Sequence, residues 1–385
     1  MLRLKIGFVS LLSALALGAC GTESTVSGMP AGLDSLVSNT VFEPQVTFLN
    51  DGTLLMTWRE RTESGSDIFA AARTSDGRFG LPVRVNDEAG TVESYAHDGM
   101  RASIAVGSGA NIAIAWADSR AQIRAAISTD GGLSFAPAVR LDQAEKPAYR
   151  AYPAISFDAS GDLHAIWIDS RFAEPGAEEP ADLYYAKVSD GSVAEKNLTE
   201  NQTPSICGCC RTFISAENDF LTMTFRNTTA DGFRDPATIT GTADGDFSEP
   251  QAASDGLWEL RGCPMAGPIV AGQEVLWNDG STGKMLAMVS SISEPMARRV
   301  FSDEEQGEWI TRRPPRAITT VDGRNSLLLL PGSPMSRLIA KNGDKWNTVA
   351  NDLPPWAMSG AHEDGKLYLV GVLEGEFQFE TYMFP

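Results

Sequence analysis

Histidine is nearly missing from this chain, with three in 385 residues. His164 falls in the alternating stretch "LHAIW" and His362 in a hydrophilic turn, so an imidazole-rich metal centre or a Ser-His-Asp arrangement has little to build from. Amphipathic helical periodicity is missing too, and no Gly-rich phosphate loop leads into a helix. Beyond the N-terminus nothing is long and apolar enough to span a bilayer. Basic residues are scarce: 31 stand against 50 acidic ones, a formal charge of −19. That balance argues against nucleic acid as a partner and against electrostatic binding to anionic lipid. Cysteine is scarce at five, yet three of the five crowd into "ICGCCRTF", residues 206 to 213.

What is present begins with an export signal. Arg3 and Lys5 precede an uncharged apolar run from Ile6 to Leu17, too short for a comfortable membrane span. The run ends in Leu17-Gly18-Ala19-Cys20, which resembles the lipobox of bacterial lipoproteins. The resemblance implies cleavage before Cys20, acylation of that cysteine with palmitate-type chains, and a domain held at the membrane by lipid. Gly21 rather than Asp after the cysteine implies outer-membrane sorting, facing the periplasm or the exterior. The expected organisation is a signal peptide over 1–19, a Ser/Thr/Gly/Pro-containing tether over 20–40, and one domain over 41–385.

Within that domain one pattern returns. "PQVTFLNDGTLLMTW" ends at Trp58, "ASIAVGSGANIAIAW" at Trp116 and "PAISFDASGDLHAIW" at Trp167, followed by copies ending at Phe225 and Trp277. Two weaker copies start near Arg316 and Trp356. Each has period-two alternation punctuated by Gly, Asp or Asn, which predicts four short antiparallel strands per unit. In the second unit these are expected near 102–107, 111–117, 121–127 and 137–141. Units of this kind bury their faces against one another, and a ring removes exposed edges. The expectation is an all-β, seven-bladed β-propeller, with six blades or a two-domain β-sandwich as alternatives. The last unit has only three strands, so a segment near 36–43 is expected to supply its fourth.

"STDGGLSF" lies between the third and fourth strands of the second unit. Through Ser128, Asp130, Gly132, Ser134 and Phe135 it resembles the Asp-box (BNR repeat) of sialidase-like propellers, with degenerate echoes near residues 74, 188, 242 and 341. The resemblance implies the propeller fold and a turn on the face opposite the ligand. It departs from true sialidases in lacking an early Arg-Ile-Pro segment, since no arginine stands between Arg3 and Arg59. Tyr368 and Tyr382, the late tyrosines, read as strand packing residues rather than nucleophiles. The repeated "ADSR" and "IDSR" read as structural turns in which Asp118 and Asp169 cap amides and Arg120 and Arg171 stack between blades.

Arg101, Arg150, Arg211, Arg261 and Arg316 fall within three residues of the predicted inner strands of units two to six. Convergence at one channel mouth would attract a carboxylate, sulfate or phosphate, and pairing with nearby Asp or Glu is the alternative. Tyr149, Tyr152, Trp356 and Met358 are expected on the same rim. Cys210 and Cys263 occupy nearly equivalent places in adjacent units, so a Cys210–Cys263 or Cys209–Cys263 disulfide is expected to staple them. With Cys20 acylated, four thiols remain and three pairings are open. A soft-metal site is the alternative: Cys207, Cys209, Cys210 and Cys263, with Met265 and His97 nearby, would suit copper(I), although the spacing lacks the C-x2-C knuckle of structural zinc. A strained, redox-active pair is the third reading. Together these features point to a non-enzymatic binding or assembly module for an anionic small molecule, glycan or envelope protein, with no cofactor. A sialidase-type hydrolase or lyase and a copper-handling protein are the competing classes.

Overall fold

The computed structural model describes residues 24, 25, 33 and 41–383, apart from 94–100, 146, 173–180, 201–204, 218, 230, 257, 261–265, 312 and 321–326. Seven antiparallel sheets follow one another in chain order. The first blade is Val41–Phe48, Leu54–Arg61, Ser66–Ala72 and Val83–Arg84, and the second is Ser103–Val106, Ile112–Ala117, Ile123–Ser128 and Val139–Arg140. Arg150–Phe157, Leu163–Asp169, Asp182–Ser189 and Ser192–Asn197 make the third. The fourth runs Phe213–Glu217, Phe220–Thr228, Pro236–Thr242 and Gln251–Ala252, and the fifth Ile269–Ala271, Glu274–Asp279, Leu286–Ser291 and Arg298–Arg299. Arg316–Ala317, Leu327–Leu330, Ser336–Asn342 and Lys345–Leu353 form the sixth. The only helix among the described residues is one turn, Asp303–Gln306, capped by Ser302.

The seventh blade closes the ring. Ala357–Glu363, Lys366–Leu373 and Glu376–Met383 supply three strands, and Ser24–Thr25 supplies the fourth through Ser24↔Tyr382 and Thr25↔Thr381. The closing strand therefore lies further upstream than the 36–43 segment expected for it. Val41–Phe48 is instead the innermost strand of the first blade, because Val41, Val46 and Phe48 pack against Ala361, Tyr368 and Val370 of the seventh.

The repeat's aromatics explain the stacking. Trp58, Trp116, Trp167, Phe225 and Trp277 all sit on second strands and are almost fully buried. Burying each contributes on the order of 2 kcal/mol or more. The core is a set of clusters between neighbouring blades: Trp116 joins the first to the second, and Trp167 the second to the third.

Antiparallel order also fixes two faces. Blade-to-blade links and the turns between second and third strands lie on one, here the mouth face. Turns between first and second strands, and between third and fourth, lie on the other, here the base. The Ser128–Phe135 turn belongs to the base. Asp130 accepts hydrogen bonds from Ser128 Oγ at 2.8 Å, Ser134 N at 2.9 Å and Ser134 Oγ at 2.5 Å, while Gly131 and Gly132 take φ of 76° and 85°. Those donors hold the Asp130 carboxyl below the usual carboxylate range, with Ser134 the largest contributor. The echo at Thr74 repeats the device, Thr74 Oγ1 donating to Asp76 at 2.5 Å.

Candidate functional site

Inner strands and the links feeding them, from all seven blades, line a central channel of about 330 Å³. Arg101, Arg211 and Arg316 line it from blades two, four and six, each at or just before the start of an inner strand and therefore at the mouth end. Asn50, Val106 and Ala216, at or just past the far ends of inner strands, line the base end. Among the described lining residues the three arginines are the only ionisable side chains, and no carboxylate lines the cavity with them. In a low-dielectric channel such a cluster favours an anion with several oxygens, since guanidinium groups pair bidentately with carboxylate, sulfate or phosphate.

Much of the polar wall is committed to joining blades. Gln45 Nε2 donates to Ala102 O at 2.9 Å, Asn50 Nδ2 to Gly107 O at 2.7 Å, and Thr212 Oγ1 to Tyr152 O at 2.7 Å. Ser103 and Ser156 Oγ accept from Ile155 N and Ala216 N at 3.2 and 3.1 Å. Ser359 Oγ accepts from Val46 N at 3.2 Å across the closing seam. Sequence reading passed over these residues; their signal is a Ser, Thr, Asn or Gln recurring in otherwise apolar inner strands.

The remaining residues expected at the mouth lie elsewhere. Arg150 is buried, its Nε 2.9 Å from Asp169 and 3.5 Å from Asp142, and Nη1 donates to Ala121 O. Two fully buried carboxylates hold that guanidinium away from the channel. Tyr152 takes φ 57° at a bulge between Ala151 and Ala154, which turns its ring into the core between blades three and four. Trp356 is buried between blades six and seven. Tyr149 is exposed near the mouth, and Met358 is half-buried. Arg261, Cys263, Met265 and His97 lie outside the described residues.

The "DSR" turns are structural. Asp118 accepts from Arg120 N and Gln122 N and pairs with Arg124, and Asp169 accepts from Arg171 N. Arg171 lies over Tyr184 at 4.0 Å and pairs with Glu195, all in its own blade, so it stacks within a blade rather than between two. Arg120 reaches back to Glu88 at 2.5 Å, in the preceding link.

Cys207 and Cys210 form a disulfide, which rules out the expected Cys210–Cys263 staple, while the alternative Cys209–Cys263 pairing lies outside the described residues. Cys209 is also disulfide-bonded, and its Sγ lies 3.6 Å from that of Cys207. The three sulfurs fall within 4.8 Å of one another, a cluster able to hold a soft ion only as thiolates, after reduction. Their place in the fold is specific. Arg234 Nη1 donates to Cys207 Sγ at 3.0 Å, and Cys207 N donates to the carbonyl of Arg226. The fully buried Arg226, pushed down to about 10 by burial, donates to carbonyls of Ala266, Arg234 and Asn278 at 2.7, 2.7 and 2.6 Å. The cross-linked loop therefore rests on a clamp between blades four and five, and the residue after Cys210 is Arg211 of the channel. Gly267 approaches the Arg211 carbonyl so closely that a Cβ there would lie 1.8 Å from its oxygen.

Fold and channel together define a seven-bladed β-propeller with a cationic axial cavity. No protein-family model matches the chain, and no curated protein does. Solved structures match by fold. A Mycobacterium tuberculosis puromycin-hydrolyzing peptidase superposes with TM-score 0.54 at 10% identity over 93% of this chain, which spans 56% of that protein's length. An ulvan lyase bound to a GlcA(1-4)Rha3S saccharide gives 0.54 at 12% identity, covering 90% of this chain and 94% of that one. A Trypanosoma rangeli sialidase gives 0.47 at 13% identity over 90% of this chain and 55% of that one. The peptidase and the lyase thus share this architecture at low identity, a likeness of fold alone.

Proposed function

We propose that the protein is an extracytoplasmic propeller, anchored through an acylated Cys20, that binds an anionic ligand in its axial channel. The ligand class is a uronate-bearing or sulfated saccharide, or a comparable polycarboxylate. The observation that carries the reading is the convergence of Arg101, Arg211 and Arg316 on one end of the channel, in a chain of net charge −19. The Asp-box-like turns stand on the base, which leaves the mouth to the ligand, and the Cys207–Cys210 loop fixes the segment that delivers Arg211.

The test is isothermal titration of the unacylated domain with glucuronate disaccharides, citrate and sulfate. Binding weakens with added salt, and Arg211→Ala or Arg101→Ala lowers affinity by tenfold or more, in keeping with the loss of about 2 kcal/mol or more when a buried charge loses its partner. Arg84→Ala, on an exposed outer strand, changes nothing. Equal binding by all variants, or no binding of any anion, overturns the proposal.

A second reading, saccharide lysis or hydrolysis, is supported by the fold match to the ulvan lyase over 94% of that enzyme. It requires an acid or base beyond the described channel wall, where arginine alone is ionisable. Turnover of a uronate polymer by the wild-type chain, lost in Arg211→Ala, would make this the activity.

A further inference from the structure

The ring closure also orients the molecule. Ser24–Thr25 runs antiparallel to Glu376–Met383, with Ser24 opposite Tyr382. Glu376–Met383 is a third strand, running from mouth to base, so the closing strand enters at the base and runs toward the mouth. Residues preceding Ser24 therefore join the domain at its base. Cys20 stands four residues before Ser24, a span of at most about 14 Å. An acyl group on Cys20 would thus be tied within that span of the base, on the side away from the arginine mouth.

A second observation falls on the same side. Nine large apolar side chains are exposed among the described residues. Leu81, Leu133 and Met296 stand on turns between third and fourth strands, Phe220 opens a second strand at the base, and Met383 ends a third strand there. They come from blades one, two, five, four and seven, and Leu81, Met296 and Leu133 are 88%, 72% and 67% exposed. Singly such residues need no explanation. As five of nine on the face where the acyl chains arrive, they point to one occupant.

We propose that the base of the propeller seats on the lipid bilayer, its apolar turns dipping into the interface while the arginine-lined mouth faces away. This rests on the acylation of Cys20 but not on the identity of the channel ligand. Base turns also carry Asp76, Asp130, Asp219 and Asp244, which oppose an anionic surface, so the matching lipid is zwitterionic and the seating shallow.

The experiment uses the acylated full chain in phosphatidylethanolamine/phosphatidylcholine vesicles, with an environment-sensitive fluorophore on Leu133→Cys, Met296→Cys or Phe172→Cys. Phe172 is exposed on a mouth-face turn. Brominated lipid is expected to quench probes 133 and 296 at least threefold more than probe 172. Adding Leu81→Asp to the Met296-labelled chain, a change at an exposed position that leaves the fold intact, weakens that quenching while the protein still sediments with vesicles. Preferential quenching at 172, or equal quenching at all three in protein that sediments, overturns the seating while leaving the anchor in place. Protein left in the supernatant overturns the anchor and the seating together, and neither result bears on anion titration of the soluble domain.

Discussion

Arg150 and Arg101 occupy equivalent places in the repeat, yet Arg101 lines the channel and Arg150 is turned to buried carboxylates. Arg150 bridges Asp142 and Asp169, whose side chains are fully buried and which also pair with Arg140 and Arg171, so Arg150→Met removes the one guanidinium shared by the two carboxylates. The expected loss is about 1.5–3 kcal/mol, read as a lower midpoint in urea unfolding. His164 offers a second test. It is fully buried between Tyr185 OH at 2.7 Å and Asp158 Oδ2 at 3.1 Å, and burial lowers its pKa from the ordinary 6.5 against the pull of Asp158. Its contribution to stability is therefore complete above about pH 6.5. As pH falls below that value the unfolded chain takes up a proton that the folded chain refuses, and stability declines until the folded pKa is passed. Urea midpoints measured from pH 8 to pH 5 should show this decline, and His164→Gln should flatten it. Spacing placed all five arginines near inner strands, but it could not tell a channel cation from a buried counter-ion. Asp142 and Asp169, which decide the matter for Arg150, come from another strand and another link.

Strands and turns were the most legible level. The second unit's strands, expected near 102–107, 111–117, 121–127 and 137–141, are observed at 103–106, 112–117, 123–128 and 139–140. Period-two alternation is a local property and survives into the fold. Bulges are not local in this sense. Glu43 and Tyr152 adopt φ of 52° and 57° at register shifts in the inner strands of blades one and three, positions no turn residue announces. The rotation at 152 sends an expected rim tyrosine inward. The Asp-box-like turn, by contrast, announces itself because its geometry needs particular residues. Gly132 combines φ 85° with a would-be Cβ 2.8 Å from Leu55 Cδ1 of the preceding blade. Gly132→Ala should cost about 1–2 kcal/mol, read as a lower urea midpoint, while leaving anion binding at the far end of the channel unchanged.

The whole molecule is an acidic ring around a basic bore. A net charge of −19 with three arginines lining the described channel wall would favour small anions at the mouth over nucleic acid or an anionic surface outside it. Blade number followed from counting aromatics, but the closure did not, because Ser24 and Thr25 carry no pattern distinguishing them from a tether. That pairing also has a consequence in time. A chain made from its N-terminus presents Ser24–Thr25 first and Tyr382 last, so its earliest strand must wait for its latest. Six blades can stack as they appear, each on its predecessor, but Ser24–Thr25 has no partner strand until Glu376–Met383 is made, when nearly the entire polypeptide exists. Until then the closing strand is unpaired, and an acyl group attached close to residue 24 would keep it near the surface where the ring is completed.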